Sequence, residues 1–163
     1  SRGALMSTSV LRRLAALVAA AVVAAGLVVV EPAPPAARAA ACTGTSGVTV
    51  VVDFTALGAG VQVACAPGDP ATGLAALTGA GFTVTGTARW GLAFVCRING
   101  LPTAATEACI NTPPASAYWS YWHAPAGGAW SYSSASAGSY NPAPGTVEGW
   151  AFGAGSPPSV PAP

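Results

Sequence analysis

Apolar and polar residues alternate with a period of two over several short stretches. Val48, Val50, Val52 and Phe54 fall on one side of an extended chain, and Thr49, Asp53 and Thr55 on the other, which predicts a half-buried strand. Gly58-Ala59-Gly60 supplies a turn, and Val61 to Cys65 alternates again, so the two runs read as a hairpin. Pro67-Gly68-Asp69-Pro70 then reads as a helix start. Asp69 is placed to accept amides of the first turn, and Pro70 fits the first helical position. Leu74 and Leu77 share one helical face, and Gly79 or Gly81 can end the helix in a left-handed conformation. Alternation resumes over Phe82 to Thr85 and again over Leu92, Phe94, Cys96 and Ile98, closing on the Asn99-Gly100 turn signal. A proline-containing loop, 101–116, leads to the aromatic run Tyr118 to His123 and then to Trp130-Ser131-Tyr132. After Pro144-Gly145, Val147 to Phe152 forms a last strand. Residues after Gly155 read as an extended Pro-rich tail without core-forming content.

Strands, one early helix and late aromatic strands predict an α+β class. The expected fold is a small mixed β-sheet packed on one short helix, β-grasp-like and disulfide-stapled. The expected organisation is a signal peptide over 6–41, one domain over 42–153 and the tail over 154–163.

The leader carries that division. Met6 is the expected start, with Ser1 to Leu5 upstream of it. Arg12 and Arg13 precede an uncharged run from Leu14 to Val30, and Ala-x-Ala sites follow at 37–39 and 39–41, the three-part layout of an export signal. The run also approaches the length of an uncleaved anchor, the one route by which the chain would touch a membrane. Cys42 admits a lipoprotein reading too, although Ala39 stands where such signals usually carry a large aliphatic residue. Cys42, Cys65, Cys96 and Cys109 all lie beyond the leader, so two disulfides outside the cytoplasm are expected. Cys96–Cys109 is the easiest pairing and leaves Cys42–Cys65; the other connectivities stay open on spacing alone. The localisation implied is secreted or cell-surface.

Charge and chemistry narrow the function. Beyond the leader only Arg89 and Arg97 face Asp53, Asp69, Glu107 and Glu148, and the chain has no lysine. No basic stripe exists for a phosphate backbone, which sets nucleic acid aside. His123 is the sole histidine, so no multi-histidine metal site forms, and it reads as a surface residue at a strand end. Asp53 and Glu148 read as isolated carboxylates, and no GK[ST] phosphate loop occurs. A non-enzymatic protein is expected, with no required cofactor. The aromatic cluster is the remaining signal: all four tyrosines and four of the five tryptophans lie between Tyr118 and Trp150. Trp119 and Trp122 project to opposite sides of one strand, so one set is expected in the core and the other at a surface or groove. Trp119, Trp122, Trp130 and Tyr140 are the candidate ligand-binding residues.

The order of these features resembles the transcobalamin-like C-terminal domain of secreted and surface-attached bacterial proteins. The matching segments are Val48 to Asp53 (VTVVVD), Pro67 to Leu77 (PGDPATGLAAL), Cys96 to Leu101 (CRINGL), Ala117 to Trp122 (AYWSYW) and Gly145 to Trp150 (GTVEGW). In animal cobalamin carriers the domain of this kind is a small β-rich lobe closing over a corrin ring held by an α/α-barrel. The resemblance thus implies a cobalamin (corrinoid) ligand, an exported α/α-barrel protein and a vitamin transporter as partners. No Asp-x-His-x-x-Gly motif for axial cobalt coordination is present. Two rival readings remain. A structural or adhesive surface module predicts that Trp119 and Trp122 are both largely buried and that no groove joins them to Tyr140. A secreted protease inhibitor would use the 101–116 loop near a disulfide.

Overall fold

The computed structural model describes residues 40–163; the leader and its expected cleavage sites lie outside the described residues. The strands are β1 (Val48–Asp53), β2 (Val61–Ala66), β3 (Val84–Thr87), β4 (Gly91–Ile98), β5 (Tyr118–Pro125), β6 (Ser131–Tyr132) and β7 (Thr146–Gly153), and the one α-helix is α1 (Gly73–Gly79). The described residues are mixed, mostly strand with a single α-helix, as the hydrophobic pattern predicts.

Five strands form one sheet in the order β2-β1-β7-β5-β6. The β1–β2 hairpin is antiparallel, with Val48 opposite Ala66 and Asp53 opposite Val61. β7 runs parallel to β1 and antiparallel to β5, which makes the last strand a central one. Because β1 is covered on both faces, all six of its residues are buried. Val48, Val50, Val52 and Phe54 join Leu77, Ile98, Trp119, Tyr121 and Trp150 in the main core, while Val51 turns to the opposite face with Ala124 and Val147.

Three expectations change. The helix starts at Gly73 instead of the Asp69-Pro70 pair, because Thr72 is its N-cap and accepts from the Ala75 amide at 3.1 Å. β3 and β4 do not join the sheet; they pair only with each other as a separate hairpin beside it. Residues 157–163 are not a free tail. Pro158 and Ala162 are buried, Val160 packs against the cluster of Val51, Ala124, Val147 and Ala162, and the Ser159 amide donates to Asp53 Oδ2 at 2.6 Å. Small alternating residues can cover an apolar sheet face even without large side chains, and composition alone does not reveal that.

Both disulfides form, Cys42–Cys65 and Cys96–Cys109, and no cysteine is free among the described residues. The first ties the segment before β1 to the end of β2. The second ties β4 to the 101–116 loop, which is also held by the Arg97 guanidinium donating to the carbonyls of Pro102 and Glu107. Two disulfides suit an oxidising, extracellular environment. No helix among the described residues is long and apolar enough to cross a membrane.

Candidate functional site

β5 distributes its side chains to both faces, as period two requires. On the helix side, Trp119 is 4% exposed, meets Phe54 and Phe152 edge-on, and donates its indole N–H to the Leu101 carbonyl at 3.0 Å. On the opposite side, Trp122 is 8% exposed and donates to Ser120 Oγ at 2.9 Å, with Tyr132 edge-on to its ring. Trp130 lies over Gly149 on that same side and donates to the Val160 carbonyl at 2.8 Å. Gly149 is required there, since a Cβ would fall 2.6 Å from the Trp130 ring. Tyr140 is elsewhere, stacked on His123 with centroids 3.7 Å apart. The four candidate residues therefore do not converge on one cavity: Trp119 lines one, Tyr140 another, and Trp122 and Trp130 neither.

The first cavity is a cleft of about 150 Å³ between the β3–β4 hairpin and the β5–β6 edge. Trp119, Tyr121 and Trp150 form its floor, and Leu92, Phe94, Tyr118 and Tyr132 line its walls. Leu92 and Tyr132 are 50% and 54% exposed, large apolar residues left open at the protein surface. The hydroxyls of Tyr118 and Tyr132 lie 3.2 Å apart. That hydrogen bond, with partial burial second, pushes the Tyr118 phenol up to about 12. Of these residues the sequence marks only Trp119 as a candidate ligand contact. Leu92 and Phe94 carry no chemical signature, and only the docking of the separate hairpin brings them to Tyr132.

The second cavity, about 240 Å³, is lined by His123, Ala124, Pro125, Ser131, Tyr140 and Thr146. Beneath it lies the one acidic side chain of the described residues that is essentially fully buried. Glu148 is 1% exposed, and its Oε1 sits 3.3 Å from Nδ1 of His123. Burial pushes its carboxyl up to about 7, and the nearby Tyr121 hydroxyl only partly opposes this. Burial likewise holds His123 below its ordinary range, which favours the neutral imidazole. Tyr121 and Tyr140 are both shifted upward by burial first and by the Glu148 charge second. Glu148 Oε2 and the Tyr121 hydroxyl are buried without a hydrogen-bond partner. Both converge below Gly73 at the start of α1, where a Cβ would overlap the Tyr121 hydroxyl and stand 3.1 Å from Oε2.

Glu148 is thus paired, and His123 is the upper half of a buried carboxylate–imidazole pair instead of a simple surface residue. The β5–β7 register sets His123 directly opposite Glu148. Their residue types were visible in sequence; the register that joins them was not. Asp53 is not isolated either. Burial alone would raise it, but hydrogen bonds from Ser159 and Thr55 together outweigh that and leave it lowered. A carboxylate-held imidazole can move a proton, yet among the described residues no hydroxyl or thiol is hydrogen-bonded to the other ring nitrogen of His123. Comparison of the chain with protein-family models, with curated proteins and with solved structures finds no match in any of the three.

Proposed function

We propose that the protein is a secreted or cell-surface, non-enzymatic binding module that uses the cleft between the β3–β4 hairpin and the β5–β6 edge. The observation that carries this reading is the exposure of Leu92 and Tyr132 at the mouth of a cleft floored by Trp119, Tyr121 and Trp150. Aromatic walls with a few hydroxyls at the rim suit a flat, amphipathic ligand.

The β-grasp assignment belongs to the same proposal. It is supported by the strand order, in which an N-terminal hairpin is followed by a helix and the last strand returns parallel to β1 at the sheet centre. The same proposal takes the transcobalamin-like resemblance as its guide to the ligand, a corrinoid. A cleft of about 150 Å³ is smaller than the ~300–1,000 Å³ that encloses a drug-sized molecule. A macrocycle would be met at its edge, with an exported α/α-barrel protein supplying the other half of the site and a vitamin transporter receiving the cargo. Titration with cobalamin, read by tryptophan fluorescence and corrected for inner-filter absorption, tests this. Saturable quenching that weakens in Tyr132→Ala and Leu92→Ser is expected. No saturable change at millimolar ligand, alone or with a barrel partner, removes the corrinoid version.

A second reading, a structural or adhesive surface module, is favoured by the burial of Trp119 and Trp122 and by the separation of the cleft from the cavity at Tyr140. It predicts that substitutions at Leu92 and Tyr132 change no small-molecule binding.

A further inference from the structure

Ser131, His123 and Glu148 stand in one row across three neighbouring strands. The β5–β6 register sets His123 directly opposite Ser131, and the β5–β7 register sets the same His123 directly opposite Glu148. Directly opposed residues of an antiparallel pair share a sheet face with Cβ atoms ~4.5–5.5 Å apart, so a serine hydroxyl and an imidazole placed this way are within mutual reach. The imidazole is held from its inner side. Its Nδ1 meets Glu148 Oε1 at 3.3 Å, Tyr140 stacks on it with centroids 3.7 Å apart, and Tyr121 meets it edge-on at 4.7 Å. With Nδ1–H donated to the carboxylate, the lone pair falls on Nε2, and burial favours the neutral ring that can accept a proton. Ser131 is exposed on the edge strand β6 and lines the cavity of about 240 Å³ together with His123 and Tyr140. Its hydroxyl is not hydrogen-bonded to the imidazole, as is common in free proteins, where such bonds are long and close only around a bound substrate.

We infer that Ser131 is an activated acyl acceptor, with His123 as its general base and Glu148 as the carboxylate that orients the base. A nucleophile, a base within reach and a third group aiming that base make a serine hydroxyl reactive, whatever their order along the chain. The donor is a small activated ester or thioester. Ser131 Oγ bonds to the acyl carbon while its proton passes to His123 Nε2. The bond from that carbon to the leaving oxygen or sulfur then breaks, and the leaving group departs with the proton. The chain is left as an ester at Ser131. This is one capture per chain, a covalent form of binding without turnover. The cavity shares no lining residue with the cleft of the proposed function, so either reading can fail without the other.

The test treats the full, disulfide-bonded chain with 4-nitrophenyl acetate above pH 7, where the Glu148 carboxyl is ionised. Timed peptide mass spectrometry locates and counts the acetyl groups. The expected result is one acetyl per chain on Ser131, formed about a hundredfold or more faster than on the exposed Ser134 and Ser156. That comparison is internal to the wild-type chain and needs no variant to fold. Ser131→Ala, at an exposed edge position, should lose the adduct. His123→Gln should slow Ser131 labelling by about a hundredfold or more. Glu148→Gln should slow it by about tenfold or more, because the base is no longer aimed. Acetyl spread evenly over the exposed serines, acetyl resting on His123 instead of Ser131, or Ser131 labelling unchanged in a His123→Gln chain that keeps its near-ultraviolet circular dichroism would each overturn the proposal.

Discussion

Glu148 and His123 face each other across adjacent antiparallel strands, Oε1 to Nδ1 at 3.3 Å, with the carboxylate fully inside the protein. A carboxyl raised from 4.5 to about 7 by burial binds its proton more tightly in the folded than in the unfolded chain. Its contribution to stability is therefore present below about 4.5 and lost as pH rises to about 7. His123, held low by burial, has the opposite slope: its contribution is lost as pH falls through the ordinary histidine range. Glu148→Gln removes the first slope and keeps the second. Relative to wild type, the variant should gain on the order of 3 kcal/mol between pH 4.5 and pH 8. Urea denaturation at those two pH values reads this directly, and an unchanged difference would mean that the carboxyl titrates normally.

Gly73 and Tyr121 are coupled by space. A Cβ on Gly73 would overlap the Tyr121 hydroxyl, and that ring is wedged between Trp150, stacked at 4.7 Å, and Tyr140. Gly73→Ala should cost about 1–3 kcal/mol through overpacking. In a Tyr121→Phe background the same change should cost less, because the unpartnered oxygen at the closest approach is gone and only ring carbon Cζ, 2.7 Å from the new Cβ, has still to shift. Equal costs in the two backgrounds would refute the coupling.

The two disulfides close loops of different length, with sequence separations of 23 and 13. Replacing either pair by serines should lower stability by about 3 kcal/mol, with Cys42–Cys65 the slightly larger loss if chain entropy governs. Denaturant midpoints of the two double variants rank them.

Trp90 is half exposed at the β3–β4 hairpin, under the Arg89 guanidinium and donating to Thr112 Oγ1 at 2.8 Å, whereas Trp119, Trp122 and Trp150 are buried. Iodide should quench Trp90 most, with a smaller part from the half-buried Trp130, and Trp90→Phe should remove most of the quenchable emission. A ligand entering the cleft should instead alter the iodide-resistant emission of Trp119 and Trp150, which form its floor.

Much of this arrangement was written locally. The alternation of Val48, Val50, Val52 and Phe54 fixed which face of β1 meets the helix, and that side is the core. Asn99 and Gly100 both take positive φ, as their turn signal requires, and Gly81 does so just past the helix. Asp69 and Thr72 both qualify as caps by residue type, and the helix uses Thr72.

What sequence by itself determined is the set of pieces: short strands, one helix, four paired sulfurs and a late aromatic run, each dictated by neighbours a few residues apart. Tertiary structure alone decided which pieces meet. Parallel insertion of β7 beside β1 places Glu148 under His123, and docking of the β3–β4 hairpin opens a cleft at Tyr132. The return of residues 157–163 to Asp53 spans a sequence separation of 106. The physical reason is that a period-two pattern states which side of a strand is apolar, whereas strand register and the choice of covering segment depend on free-energy differences between distant surfaces that no local pattern records.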